Sequence, residues 1–184
     1  PIGRTPRANL LTYTKVLDPL RQLLAQTPEA RARGYSAGHF SFNVAGGRCE
    51  QCKGEGFERV DMQFLADVHI RCPQCNGRRF KDEILKIRLE GLSIGDILEC
   101  TGQELIRHLG KYEAVVKMLK PLEAIGLDYL RLGQPLSSFS GGEAQRLKLI
   151  RYLSSGNGKI NGGNQLLFLL DEPTVGLHPY DLQK

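Results

Sequence analysis

Hydrophobic and polar positions change their period several times along this 184-residue chain. Phe57-Glu-Arg-Val60-Asp-Met62-Gln-Phe64 alternates in strand fashion, Leu65-Ala66-Asp67 reads as a turn and Val68-His69-Ile70 as the return, which predicts a β-hairpin. The apolar run Leu166–Leu170 is too short to span a membrane and suits a strand buried on both faces of a parallel sheet. Other stretches carry the helical period. Asp18 as N-cap and Pro19 at the first helical position open a helix with Leu20, Leu23 and Leu24 on one side, ended by Thr27-Pro28. Thr101-Gly-Gln-Glu104 is a capping box that starts a helix through Leu109, and residues 112–125 form another that stops at Gly126. A helix over 142–153 carries Leu147, Ile150 and Leu153 toward a core, and Ile84–Leu89 predicts a strand. Residues 31–41 read as a basic connector, and Gly156–Gly163 as a flexible turn before the buried strand. The mixture is that of an α/β protein.

Chemistry enters at the ends of these elements. Ser140 caps the helix that starts at Gly141, and Glu143 completes a Ser-x-x-Glu box. Gly141 and Gly142 have no side chains, so a phosphate can approach the free N–H groups and the positive end of the helix dipole. Phe139-Ser-Gly-Gly-Glu-Ala-Gln-Arg146, followed by an apolar strand that ends in Asp171-Glu172-Pro173-Thr174, is the signature and acidic-strand pair of an ABC-type ATPase. At the strand tip Asp171 would hold Mg²⁺, directly or through water, and Glu172 would orient or deprotonate the attacking water. No stretch fits the Gly-x-x-x-x-Gly-Lys-Ser/Thr phosphate loop; Lys159 is followed by Ile160 where Ser or Thr is required.

A second constellation precedes the helices. Cys49-Glu-Gln-Cys52 and Cys72-Pro-Gln-Cys75, nineteen residues apart, match a tetrahedral structural Zn²⁺ site of four thiolates. The flanks repeat too: Gly54 and Gly77 fall two residues after the second cysteine, and Phe57 and Phe80 eight after the first. Both knuckles look like one small turn used twice, with the phenylalanines expected to cover the site from opposite sides. Two matched knuckles around an apolar hairpin favour metal over a redox dithiol or disulfides. His69 reads as a hairpin-face residue, because four thiolates already close the shell, and Cys100 as a reduced, partly buried thiol. This cysteine usage suits a reducing cytoplasm.

The formal charge of +5 matters less than its placement. Arg4, Arg7, Lys15, Arg21, Arg31 and Arg33 gather in the first thirty-five residues; Arg71, Arg78, Arg79, Lys81, Lys86 and Arg88 gather around the second knuckle. Such clusters fit a phosphate-backbone contact surface and a plain solvated face about equally. The chain opens at Pro1, without an apolar leader, and no targeting or membrane segment is expected.

The order Pro1-Ile-Gly-Arg-Thr-Pro-Arg-Ala-Asn9, Phe40-Ser-Phe-Asn43, Gly46-Gly-Arg-Cys49, the paired knuckles, Leu132-Gly-Gln-Pro135 and the two ATPase motifs closely resembles the UvrA family, the damage-recognition ATPases of bacterial nucleotide excision repair. The resemblance covers essentially the whole chain and points to the C-terminal nucleotide-binding half. It implies a dimeric, two-module ATPase that binds ATP, scans duplex DNA for damage and loads its partner UvrB. It implies zinc on Cys49, Cys52, Cys72 and Cys75, and contact of Ser140, Gly141, Gly142 and Gln145 with the γ-phosphate of ATP held by the opposite module. Asp171 and Glu172 would serve the ATP of their own module, and His178 would sit near the module interface.

The expected architecture is a partial ABC-ATPase nucleotide-binding domain of P-loop type, its P-loop outside this chain, with an inserted zinc hairpin module and a helical signature subdomain. Residues 1–45 would be a basic helical and connector region, 46–90 the zinc module, 91–139 the helical signature subdomain, and 140–184 the signature helix and acidic strand. The family's phosphate loop would precede Pro1 and its switch histidine follow Lys184, so this chain alone is not expected to hydrolyse ATP. Phe139 replaces the usual leucine, and 157–164 looks like a loop extension. Three rivals remain: a DnaJ-like zinc chaperone for unfolded polypeptide, which leaves Asp171 and Glu172 unexplained, an ABC transporter subunit, which has no reason for a four-cysteine hairpin, and a UvrA-like paralogue outside repair.

Overall fold

The computed structural model describes residues 5–60, 62 and 68–153. In chain order they form helices α1 (Leu10–Tyr13), α2 (Leu17–Ala25) and α3 (Pro28–Ala32), strands β1 (Phe57–Val60) and β2 (Val68–Arg71), then α4 (Asp82–Leu85), α5 (Ile94–Glu99), α6 (Gly102–Leu109), α7 (Glu113–Ala124) and α8 (Gly141–Leu153). Two short 3₁₀ turns, Ala37–Phe40 and Leu136–Ser138, complete the set. They divide into two compact units. One comprises Thr5–Arg7 and Leu17–Glu99; the described part of the other is Ala8–Val16 and residues 100–153.

In the first unit α2 buries Leu17, Leu20 and Leu24 and packs against the 3₁₀ turn that ends in buried Phe40. The helix begins at Leu17, so Asp18 lies inside its first turn and pairs with Arg21 at 2.6 Å instead of capping. Thr27-Pro28 does close α2, and it also opens α3: the Ala30 N–H donates to Thr27 Oγ1 at 3.3 Å, and Pro28 has no N–H to leave unpaired. Part of the expected connector is therefore helical.

Ile84–Leu89 is not a strand. Asp82 and Glu83 supply the acidic first turn of α4, and Ile84, Leu85, Ile87 and Leu89 are all buried, a spacing that a sequence pattern cannot distinguish from a short strand. The segment then turns back on itself. Leu89 and Leu92 exchange backbone hydrogen bonds of 2.8 and 3.0 Å across Glu90 and Gly91, both at positive φ, the turn geometry of a tight hairpin. Ser93 caps α5 reciprocally with Asp96, a second capping box beside the one at Thr101.

The second unit follows its capping signals closely. Thr101 and Glu104 form the expected box, with bonds of 2.8 and 3.3 Å. α6 and α7 pack together through buried Leu105, Leu109, Val115, Leu119 and Leu122. α7 ends in a Schellman motif: Gly126, at φ +63°, donates to Glu123 O, and Leu127 donates to Leu122 O at 2.9 Å. Extended backbone links this unit across the sequence, through Leu136 N–H to Ala8 O, Leu11 N–H to Leu132 O and Leu132 N–H to Cys100 O. Cys100 is half-buried and takes part in no disulfide.

Candidate functional site: a four-cysteine centre and a glycine-led helix

Two knuckles related by a shift of 23 residues build the cysteine centre. After Cys52, Lys53 and Gly54 both take positive φ; after Cys75, Asn76 and Gly77 do the same. This left-handed pair curls the chain so that amide N–H groups point back at sulfur. Gly54 cannot be replaced freely, because a Cβ there would lie 2.0 Å from the Phe42 carbonyl oxygen. The knuckles also pair with each other. Cys49 N–H donates to Arg79 O at 2.9 Å, and Cys72 N–H donates to Gly56 O at 3.0 Å, with Gly56 and Arg79 at equivalent places in the repeat.

The result is four buried sulfurs within 4.8 Å of one another. Cys49 and Cys72 Sγ are 3.9 Å apart, Cys52 and Cys75 Sγ 3.6 Å. Zinc–sulfur bonds of about 2.3 Å at tetrahedral angles place sulfurs about 3.8 Å apart. All the cysteines are free, so the spacing is not that of disulfides. The Gly56 N–H donates to Cys52 Sγ at 3.3 Å. Burial pushes the Cys75 thiol up to about 12 and raises Cys49 as well. Burial acts on Cys72 in the same sense, but the N–H groups of Cys75 and Gln74 outweigh it and hold this thiol below its ordinary value. A bound zinc ion would replace these individual preferences by four coordinated thiolates.

The aromatic cover differs from the expected one. Phe80 is buried, but Phe57 is only half-buried at the start of β1. The second buried ring is Phe42, in edge contact with Phe80 at 6.1 Å and 64°. Its place in Phe40-Ser-Phe-Asn43 carried no sign of this role, since thirty-eight residues separate the two rings.

Beyond the knuckles β1 and β2 pair antiparallel, Phe57 with Arg71 through Val60 with Val68. The alternation puts Arg59, His69 and Arg71 on one face, and Val60, Val68 and Ile70 on the other. His69 is exposed and lies outside the sulfur cluster. Val60, Met62, Val68 and Ile70 are all exposed, and the register sets Glu58 opposite Ile70 on their face and Phe57 opposite Arg71 on the face that carries the arginines. Arg71, Arg78, Lys86 and Arg88 are exposed, but Arg79 is 2% exposed and drops out of the basic surface. Of the exposed four, Arg78 pairs with Asp82 and Arg88 with Asp96; elsewhere Arg7 is tied to Glu55, Arg33 to Glu29 and Lys81 to Glu50.

In the other unit the glycine-led helix α8 starts where its capping box predicts. The Ser140 N–H donates to Glu143 Oε2 at 2.8 Å, and the Glu143 N–H donates to Ser140 Oγ at 3.3 Å. Glu143 Oε1 accepts from Tyr129 Oη, and Arg146 Nη1 donates to the Ile125 and Gly126 carbonyls at 3.2 Å, where its charge also meets the negative end of α7. Both anchors tie the helix start to the 125–129 turn, a role that sequence spacing did not reveal. Burial and Glu143 push the Tyr129 phenol up to about 12. Burial works to raise Glu143, but the bonds from Tyr129 and Ser140 prevail and hold it below the usual carboxylate range. No described atom lies within 4 Å of a Cβ placed on Gly141. Ser140 thus caps α8, Gly141 and Gly142 open it and Gln145 lies one turn on, all exposed or half-buried. Leu147 and Ile150 are buried beneath it. Asp171, Glu172 and His178, the buried strand before them, and the 156–163 turn lie outside the described residues.

No protein-family model matches the chain. Curated proteins do: over its whole length the chain is 50% identical to UvrABC system protein A of Xylella fastidiosa (strain 9a5c) and 52% to that of Aquifex aeolicus (strain VF5). The Escherichia coli (strain K12) protein is 49% identical over the same span. The chain matches a stretch of UvrA from end to end. It spans 18% to 19% of the length of these UvrA relatives. The solved structure of UvrA2 from Deinococcus radiodurans superposes with a TM-score of 0.91 at 47% identity, covering 100% of this chain and 22% of that one. The fold described above is therefore shared with a segment of UvrA2.

Proposed function

We propose that this chain supplies the zinc module and the ABC signature of a UvrA-type ATPase that works in DNA excision repair. The observation that carries the reading is end-to-end identity of about half to UvrABC system protein A, together with four sulfurs gathered at zinc spacing. Cys49, Cys52, Cys72 and Cys75 would hold a structural Zn²⁺, which contributes folding energy and no reaction step. Ser140, Gly141, Gly142 and Gln145 would offer N–H groups, a hydroxyl and an amide to the γ-phosphate of ATP bound by a facing module, with Tyr129 and Arg146 keeping the helix start in place. Asp171 would bind Mg²⁺ and Glu172 would orient the attacking water. The whole protein would be a cytoplasmic homodimer that binds damaged duplex DNA and passes it to UvrB. Among the described residues no helix is long and apolar enough to cross a membrane.

The hairpin face that carries Arg59, His69 and Arg71 is suited to the DNA backbone, and Arg78, Lys86 and Arg88 extend the choice of contacts. A second reading has one observation in its favour: a solved structure that this chain matches is that of UvrA2, so a UvrA-like paralogue with another task would look the same in this stretch. Fluorescence anisotropy of a labelled duplex, with and without a bulky lesion, over a salt series and against Cys72→Ser, tests both. Salt-sensitive binding that prefers the lesion and falls with Cys72→Ser is expected. Zinc-dependent binding without lesion preference would favour the paralogue. Binding indifferent to Cys72→Ser would remove the zinc module from the DNA contact.

A further inference from the structure

We propose that Arg79 is the buried counter-charge of the four-cysteine centre, a positioning residue that retains zinc by balancing negative charge beside it. The inference rests on the zinc reading above. Zinc with four thiolates carries two net negative charges, and burying such a group is unfavourable unless opposite charge lies nearby. All four cysteines are buried, and Arg79 is buried with them at 2% exposure.

The backbone shows that the side chain is wanted there. The 23-residue repeat places Gly56 in the first knuckle and Arg79 in the second at the same left-handed turn, with φ of +79° and +70°. Glycine adopts this conformation without strain, and arginine does not. In each knuckle this residue's carbonyl receives the N–H of the other knuckle's first cysteine, a backbone task that glycine performs equally well. The strain at Arg79 is thus explained by what its side chain does.

That side chain packs between Phe42 and the first knuckle. Its guanidinium carbon lies 5.3 Å from the centroid of the Phe42 ring, the ring that packs on Phe80. A Cβ on Gly56 would come 3.1 Å from Arg79 Cγ, so the glycine of one knuckle makes room for the arginine stem of the other. Burial draws the guanidinium pKa below its ordinary value, while the charges of Cys52 and Cys75, followed by Glu55 and Glu99, act to raise it. An arginine remains a cation under such pressure, whereas a surface phosphate contact would need an exposed one.

Zinc release from the full chain to a chromogenic chelator, with zinc content measured beforehand, tests the role. Arg79→Met keeps the stem and the strained backbone and removes only the charge; Arg79→Lys keeps the charge. Release from Arg79→Met is expected about tenfold faster than from the unaltered chain, and from Arg79→Lys within roughly threefold of it, in the range of outer-sphere effects on metal sites. Release from Arg79→Met at the unaltered rate overturns the proposal, and so does equally fast release from both variants. If Arg79→Met does not fold, Arg79→Lys decides: zinc retained supports the charge, zinc lost overturns it. An unaltered chain that binds no zinc at all would bring down the zinc reading and this inference together, an outcome distinct from zinc bound but indifferent to residue 79.

Discussion

Between Cys49 and Phe80 the described chain makes two strands of four residues, both largely exposed, whereas α6 and α7 in the other unit interlock through Leu105, Leu109, Val115, Leu119 and Leu122. Among its described residues the first region buries its cysteines, Arg79 and Phe80; Phe57 is half-buried, and Val60, Met62, Val68 and Ile70 face solvent. A two-stranded hairpin of this size is not stable by itself in water. The helical region needs no such clamp, because capped helices with apolar faces on each other gain stability from burial. One region is specified by a few covalently spaced ligands, the other by many weak contacts, and they should fail differently.

The largest effect is expected from the metal. Chelation of zinc, or Cys72→Ser, removes a contribution on the order of 10 kcal/mol to the local fold. Amide spectra should then lose the dispersion of residues 49–80 while α6 and α7 keep theirs. Loss of both sets at once would show that the units do not fold independently. Leu119→Ala reverses the contrast: emptying a site that is 1% exposed should cost about 3 kcal/mol in chemical denaturation and leave zinc content unchanged.

A pair of glycines sharpens the comparison within the first unit. Gly54→Ala combines positive φ with a clash at 2.0 Å against the Phe42 carbonyl and should cost about 3 kcal/mol. Gly91→Ala has the same sign of φ and no atom within 4 Å, so thermal unfolding should report only about 1 kcal/mol. Equal costs would mean that the Phe42 backbone gives way.

The smallest effect lies at the start of α8. Ser140→Ala should cost about 1 kcal/mol through its capping bond. Because Glu143 titrates lower in the folded chain than its ordinary value of 4.5, its contribution is complete above that value and is lost as pH falls through the folded one. Glu143→Gln should therefore flatten the acid limb of stability below about pH 5. Tyr129 runs the opposite way: a phenol raised to about 12 contributes below its ordinary value of 10.0 and loses that contribution as pH rises toward 12. A Tyr129→Phe variant with an unchanged alkaline limb would show that the bond to Glu143 does not form in solution.

Features confined to a few consecutive residues were legible at once. A Cys-x-x-Cys knuckle needs its ligands three apart, and a capping box its partners three apart, so Cys49–Cys75, Thr101–Glu104 and Ser140–Glu143 carried their geometry in their spacing. Ile84–Leu89 was misread because six residues of mixed apolar pattern fit a short helix with a turn as well as a strand, and the neighbours that decide between them come from α5 and the Glu90-Gly91 turn. The burial of Arg79 and the packing role of Phe42 escaped the pattern for a related reason. In the sequence Arg79 is one of six nearby cations, and Phe42 an aromatic in a connector.

By itself, then, the sequence determined the four-cysteine repeat, the helix starts at Thr101 and Ser140 and the UvrA-like order of motifs, because each depends on residue identity at short fixed distances. Only the tertiary structure decided which arginine is buried with the cysteines, which phenylalanine packs on Phe80, and which side chains brace the start of α8. Burial and pairing are set by segments that meet after folding. Arg79 meets Phe42 across thirty-seven residues, and Glu143 meets Tyr129 across fourteen.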